Sequence, residues 1–303
     1  MVRVRMFEEW DFEPLVRILN ECCSGLPLVW PATLDEFREA VSGDAARSGA
    51  PPLFEDARFL VAEEGGAVLG FAHTCRWQRE ESAPFGLIRC LVALPRSDAA
   101  SEALASAALD DLRQRGLESV AACVWATGYP WYQMGDGSCF ESQQHLVNGF
   151  LAAGFRRVVP EVLMGVEPAA TAASPAPQQE LEVHHRESVQ DGTTFRRWEA
   201  FVGGDRVAEV VWFPCSERAR HPSARQAAYV WWVHTEPDYR RRGIARYLLV
   251  AALNEARDHG CREVFLHADT HNQAARSLYR SLGFRVLAHC TSFAHGPGEP
   301  DWR

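Results

Sequence analysis

Residues 237–245 read Pro237-Asp238-Tyr239-Arg240-Arg241-Arg242-Gly243-Ile244-Ala245, and their flanks give the stretch its meaning. Upstream lies an apolar run of strand character, Tyr229-Val-Trp-Trp-Val-His-Thr235. Downstream, Arg246 to His259 carries a helical pattern. A strand stops, a short cationic loop turns and a helix begins. The first helical turn holds backbone N–H groups with no intrahelical partner, at the positive end of the helix dipole. Together these form an anion site. Gly243 lets the backbone approach a bulky phosphate, and Arg240, Arg241 and Arg242 add charge and forked donors. Three arginines in a row are by themselves usually a solvated face. Here the strand and helix on either side make the stretch read as a pyrophosphate cradle.

A second stretch follows a further apolar run, Val264-Phe-Leu-His-Ala268. It reads Asn272-Gln-Ala-Ala-Arg-Ser-Leu-Tyr279-Arg-Ser-Leu-Gly-Phe284. Ala275, Leu278, Tyr279 and Leu282 fall at helical spacing on one face. Gly283 suits the left-handed residue that closes a helix, and Phe284 opens the next strand. Taken alone, Tyr279 reads as a core aromatic on that stripe.

The order strand, Arg-x-x-Gly-x-Ala, helix, strand, Asn-x-x-Ala-x-x-x-Tyr, Leu-Gly-Phe resembles the GNAT superfamily of acyl-CoA N-acyltransferases, over about residues 195 to 290. The resemblance implies an α/β fold with a mixed sheet, acetyl-CoA as donor and a splayed pair of parallel central strands. It implies that the backbone of Arg241, Arg242, Gly243, Ile244 and Ala245 holds the pyrophosphate, with Arg240 opening the motif. It further implies that the amides of Val233 and Thr235 bond the pantetheine arm and polarise the acetyl carbonyl, that Asn272 contacts the cofactor and that Tyr279 faces its sulfur.

The chemistry accounts for these residue types. A neutral amine attacks the thioester carbonyl, and a fixed N–H stabilises the charge that develops on oxygen. The departing thiolate needs a proton, which a phenol supplies as general acid. Holding both reactants in one cleft supplies much of the rate. The base that takes the ammonium proton stays open: His234 and Glu236 at the end of the central strand are candidates, as are His267 and Asp269 on the next strand, Glu209 on the strand before, and a water chain. The rival function class is a regulatory module that binds acyl-CoA without turnover.

The first half repeats the second in outline. Arg58–Glu63 and Ala67–Ala72 form a hairpin at Gly65-Gly66, as Thr193–Val202 and Arg206–Phe213 do at Gly203-Gly204. Leu87–Leu94 matches the central strand, Leu104–Arg115 the long helix, Val120–Trp125 the next strand and His145–Ala153 the last helix. In this alignment Asp98 stands opposite Arg240, Ser101 opposite Gly243, Gln143 opposite Asn272 and Phe150 opposite Tyr279. An acid repels phosphate, the close-approach glycine is gone, and phenylalanine donates no proton. The first half is thus expected to be a degenerate copy without a donor site.

The expected division is a degenerate domain over 1–166, a Pro/Ala-rich linker over 167–180 and a catalytic domain over 181–303. The early helices of the family have no room in the second half, whereas Glu9–Cys22 and Thr33–Ala40 supply them in the first. The first half is therefore expected to contribute to the acceptor pocket. The long insert Ala126–Phe140 carries Trp131 and Tyr132, which either wall an acceptor cleft or pack on their own domain. A tandem plan of this kind also resembles mycothiol synthase.

A hydrophobic fraction of 47% is ordinary for a globular chain. No apolar run approaches the ~20 residues of a membrane span, and no signal-peptide core is seen at the start. Nine cysteines without metal-ligand spacing fit free thiols in the cytoplasm and no metal site. A net charge of −9 disfavours nucleic acid and suits a cationic acceptor, a small amine or a peptide amine.

Overall fold

The computed structural model describes residues 1–42, 54–78, 84–168 and 180–297. The chain forms two compact units, Met1–Glu161 with Ala288–Arg303, and Val162–Leu287. The seams therefore differ from the division expected over 1–166, 167–180 and 181–303. Most of the 167–180 segment lies outside the described residues. The tail from Ala288 joins the first unit because strand pairing ignores sequence distance. Phe293, Ala294 and His295 ladder with Ala122, Ala121 and Val120, and Cys290 and Thr291 pair with Phe140 and Cys139.

In the first unit, β1 (Arg3–Met6), β2 (Phe54–Glu64), β3 (Ala67–Trp77) and β4 (Phe85–Ala93) pair antiparallel in that order. Next, β5 (Val120–Ala122) pairs parallel to β4. The two-residue β6 (Cys139–Phe140) follows, and β7 (Arg156–Val166) begins in this unit and ends in the next. Helices α1 (Phe12–Cys23), α2 (Leu34–Ser42), α3 (Asp98–Gln114) and α4 (Gln144–Ala152) complete the unit. On α3, Ala100, Leu104, Ala105, Ala108 and Leu112 recur at helical spacing and are buried in a core with Ile88, Val147 and Phe150. The insert 126–140 packs inside this unit: Trp131 is buried, stacks on Tyr129 at 5.2 Å and approaches Phe37 at 6.5 Å. Of the two readings of that loop, packing on its own domain is the one observed.

In the second unit, β8 (Glu182–Gln190), β9 (Thr193–Val202), β10 (Asp205–Pro214) and β11 (Ala227–Thr235) pair antiparallel in sequence order. After α5 (Ile244–Asp258), β12 (Glu263–Asp269) runs parallel to β11. Then come α6 (Gln273–Ser281) and β13 (Arg285–His295), whose residues from Ala288 belong to the first unit. Val230, Leu248, Ala252, Leu266 and Tyr279 share one core on the α5 and α6 face of the sheet. The sequence reading leaves 181–192 without a strand. In fact β8 fills it, paired along its whole length with β9.

Candidate active site

The parallel pairing of β11 and β12 stops early. Ala227, Ala228 and Tyr229 stand opposite Glu263, Val264 and Phe265, and no rung follows. β11 nevertheless stays bonded to β10 as far as Thr235, opposite Ala208. The register slips between Val211 and Trp212, whose partners are Trp232 and Val230, so Trp231 is the extra residue of a bulge. The bulge bends β11 away from β12 and a gap opens between the parallel strands. Beyond it, the amide of Glu236 donates to the Val207 carbonyl at 2.9 Å. Backbone groups alternate direction along a strand. The amides of Val233 and Thr235 therefore point away from β10, into the gap.

After β11 a turn over Pro237–Tyr239 leads to α5. Arg240 donates from Nε to the Thr235 carbonyl at 3.0 Å and ties the loop to the strand end. Arg242 lies 5.1 Å over the Tyr239 ring. Arg241 (φ 63°) and Gly243 (φ 82°) are both left-handed. Such a backbone curls successive N–H groups toward one point, a concavity that suits an anion. The first bond of α5 runs from Tyr247 N–H to Gly243 C=O at 3.0 Å, so the Ile244 and Ala245 amides precede the helical ladder. A Cβ on Gly243 would meet no heavy atom within 4 Å. The glycine thus serves its φ angle and keeps the space over the amides open.

Helices α5 and α6 both rest on the sheet yet scarcely approach one another. Arg246 bridges them to the Ser281 hydroxyl at 2.7 Å. A slot separates them. On α6, Asn272 caps the helix, its Oδ1 accepting the Ala275 N–H at 3.1 Å, and its side chain is exposed. Tyr279 is buried, 5.9 Å from the Phe284 ring. Burial pushes its hydroxyl up to about 12, so the phenol holds its proton at neutral pH.

His234 and Glu236 are brought together, Nε2 to Oε1 at 3.3 Å, both substantially exposed. Glu209, opposite His234 on β10, is taken up by Arg197 at 2.6 Å and Arg206 at 3.2 Å. Asp269 accepts the backbone N–H of His271 at 2.7 Å. His267 is held by the Tyr229 hydroxyl, a contact that sequence reasoning missed. Also missed is the Arg218 guanidinium, set over Phe213 at 4.6 Å and Trp231 at 5.0 Å.

In the first unit β4 and β5 also stop pairing after three rungs, with Arg89 the extra residue of a bulge, but the donor loop is lost. Only four residues separate β4 from α3, so the eight-residue loop 236–243 has no counterpart. Ser101 lies within α3, fully buried. Helices α3 and α4 pack tightly, and a Cβ on Gly149 would come 2.7 Å from the Ser101 carbonyl carbon. At the end of β4, His145 Nε2 and Cys22 Sγ both bond the Ala93 carbonyl. Phe150 and Phe155 (5.4 Å) repeat the Tyr279 and Phe284 pair, with no hydroxyl. Among the described residues no group of His, Cys, Asp and Glu is placed to hold a metal ion. No helix among them is long and apolar enough to cross a membrane.

A splayed parallel pair followed by an arginine-rich loop and a helix, with a second copy of the plan upstream, defines a tandem α/β acyltransferase fold. Residues 166–284 match the model of the acetyltransferase (GNAT) family. The chloroplastic GCN5-related N-acetyltransferase 4 of Arabidopsis thaliana is 43% identical over 60 residues, 20% of this chain and 21% of the relative. The mycothiol acetyltransferase of Thermobifida fusca is 31% identical over 98 residues, 32% of this chain and 30% of the relative. The chain thus spans less than a third of either relative's length. A tandem GNAT protein from the clavulanic acid biosynthesis pathway matches in fold, with a TM-score of 0.70 and 13% identity over 99% of this chain and 100% of that one.

Proposed function

We propose that the second unit transfers an acetyl group from acetyl-CoA to a primary amine of a small molecule or peptide, by direct attack and without a covalent enzyme intermediate. The carrying observation is the contrast between the two copies. Both stop the parallel pairing after three rungs, but only the second keeps the curled cationic loop and the slot between helices, which the first has lost. In this reading the amides of Arg241, Arg242, Gly243, Ile244 and Ala245 take the pyrophosphate, with the loop arginines adding charge. Asn272 meets the donor through its side-chain amide. Val233 and Thr235 bond the pantetheine arm and the thioester oxygen from the edge of β11.

Tyr279 supplies the hydrogen bond or proton to the departing sulfur. Its hydroxyl near 12 is a weaker acid than the thiol it would form, so it stabilises the departing thiolate chiefly as a hydrogen-bond donor. The nine cysteines are all unbridged, which supports a reducing compartment, the cytoplasm. Purified protein mixed with acetyl-CoA and a panel of amines should release free thiol only with an acceptor present. Micromolar binding of acetyl-CoA without thiol release across a broad panel would favour the non-catalytic module.

A further inference from the structure

We propose that His267 takes the proton from the acceptor's ammonium, and that Tyr229 positions its ring; the inference rests on the donor thioester entering the β11–β12 gap. Tyr229 and Phe265 form the last rung before the strands part. His267 lies two residues further along β12, on the same face as Phe265. That face is the one opposite α5 and α6, because Ala228, Val230, Val264, Leu266 and Ala268 are the residues in the core beneath those helices. Entering from the α5 and α6 side, the thioester would present its carbonyl through the gap, and His267 flanks that opening on the far side. An amine arriving there meets the imidazole and the carbonyl together.

The imidazole is held, not loose. Tyr229 Oη and His267 Nδ1 are 2.7 Å apart and the ring centroids 5.8 Å. Tyr229 is 2% exposed and wedged between Phe213 at 5.7 Å and Trp231 at 6.2 Å. With Nδ1–H donating to the phenol oxygen, the imidazole lone pair sits on Nε2. Nε2 takes one proton from the ammonium and passes it to solvent. The nitrogen lone pair forms the C–N bond, and the C–S pair leaves on sulfur. That sulfur accepts the Tyr279 hydrogen bond and takes up, through solvent, the second proton lost from nitrogen. Ammonium and thioester thus give amide, thiol and one proton. His234 and Glu236, the alternative pair, bond each other in solvent at the strand end.

The test uses the full chain with acetyl-CoA and an amine that wild type accepts. His267→Gln should lower kcat about 100-fold, with acetyl-CoA affinity unchanged by calorimetry, which also reports that the variant is folded. His267→Ala should regain at least about tenfold with added imidazole, as expected when a base is missing. Tyr229→Phe should lower kcat about tenfold, and nitrogen-15 NMR should show the His267 proton moving from Nδ1 to Nε2. A His267→Gln enzyme within about threefold of wild type, or loss of activity in His234→Gln or Glu236→Gln instead, would overturn the assignment while leaving the donor site intact. Failure of wild type to bind acetyl-CoA would sink the donor reading itself.

Discussion

Alanine at Gly243, compared with alanine at Gly260, separates backbone strain from ligand contact. The two glycines stand at opposite ends of α5 with φ of 82° and 85°, and a Cβ at either meets nothing within 4 Å. The left-handed backbone costs an L-residue about 1–2 kcal/mol, and the lost freedom of the unfolded glycine returns about 0.4–1 kcal/mol. Each variant should therefore lose about 1 kcal/mol, a melting shift of roughly 2–4 °C for a chain of this class. The two differ in what the methyl faces. At Gly243 it occupies the space over the converging amides, displacing a phosphate oxygen from one charge-assisted bond worth about 1.5–3 kcal/mol. The Kd for acetyl-CoA should rise about 10- to 100-fold, while Gly260→Ala leaves it unchanged. Isothermal calorimetry and thermal melting read both quantities. Equal affinities in the two variants would refute the cradle.

Tyr279→Phe should cut kcat about 100-fold with donor affinity unchanged, read by thiol release. Burial raises the Tyr279 phenol from 10 to about 12, so its contribution to stability is full below pH 10 and lost as pH rises toward 12; the phenylalanine variant should lack that alkaline limb in melting curves. Burial alone would raise Glu199, but its bonds to Arg206 and Arg186 hold it below the ordinary 4.5. Its contribution is present above that value and lost as pH falls through the folded one, so Glu199→Gln should melt lower at pH 7 and fall less steeply in acid. Glu255 accepts the indole N–H of Trp198 at 2.6 Å and of Trp212 at 3.0 Å, and His185 at 3.0 Å. Glu255→Ala strands the buried indole of Trp212 and the half-buried one of Trp198 and should cost about 2–4 kcal/mol by urea unfolding.

The donor loop could be read in the sequence because its chemistry is local. Helix start, positive φ and positive charge all lie within nine residues, and Asn272 and Gln143 both stand at the N-cap position as the alignment of the halves implies, although only Asn272 bonds through its side chain. Strand β8 could not, because Glu182–Gln190 is polar on both faces and owes its form to pairing with β9. The pairing of the tail strand is hidden for a similar reason, since its partners Val120–Ala122 and Cys139–Phe140 lie far back in the chain. The alignment sets Asp98 opposite Arg240, and α3 begins at Asp98 itself, which leaves no loop there like 236–243. Tyr229 and His267 are 38 residues apart, and no periodicity links them. Their meeting depends on where two parallel strands stop pairing.

The most direct test is a crystal structure of the full chain grown with acetyl-CoA. A single ligand per chain is predicted, its diphosphate against the Gly243 amides and its thioester beside Val233, with the space around Ser101 and Gly149 filled by protein alone. Ligand density between α3 and α4, with the slot between α5 and α6 empty, would contradict the account.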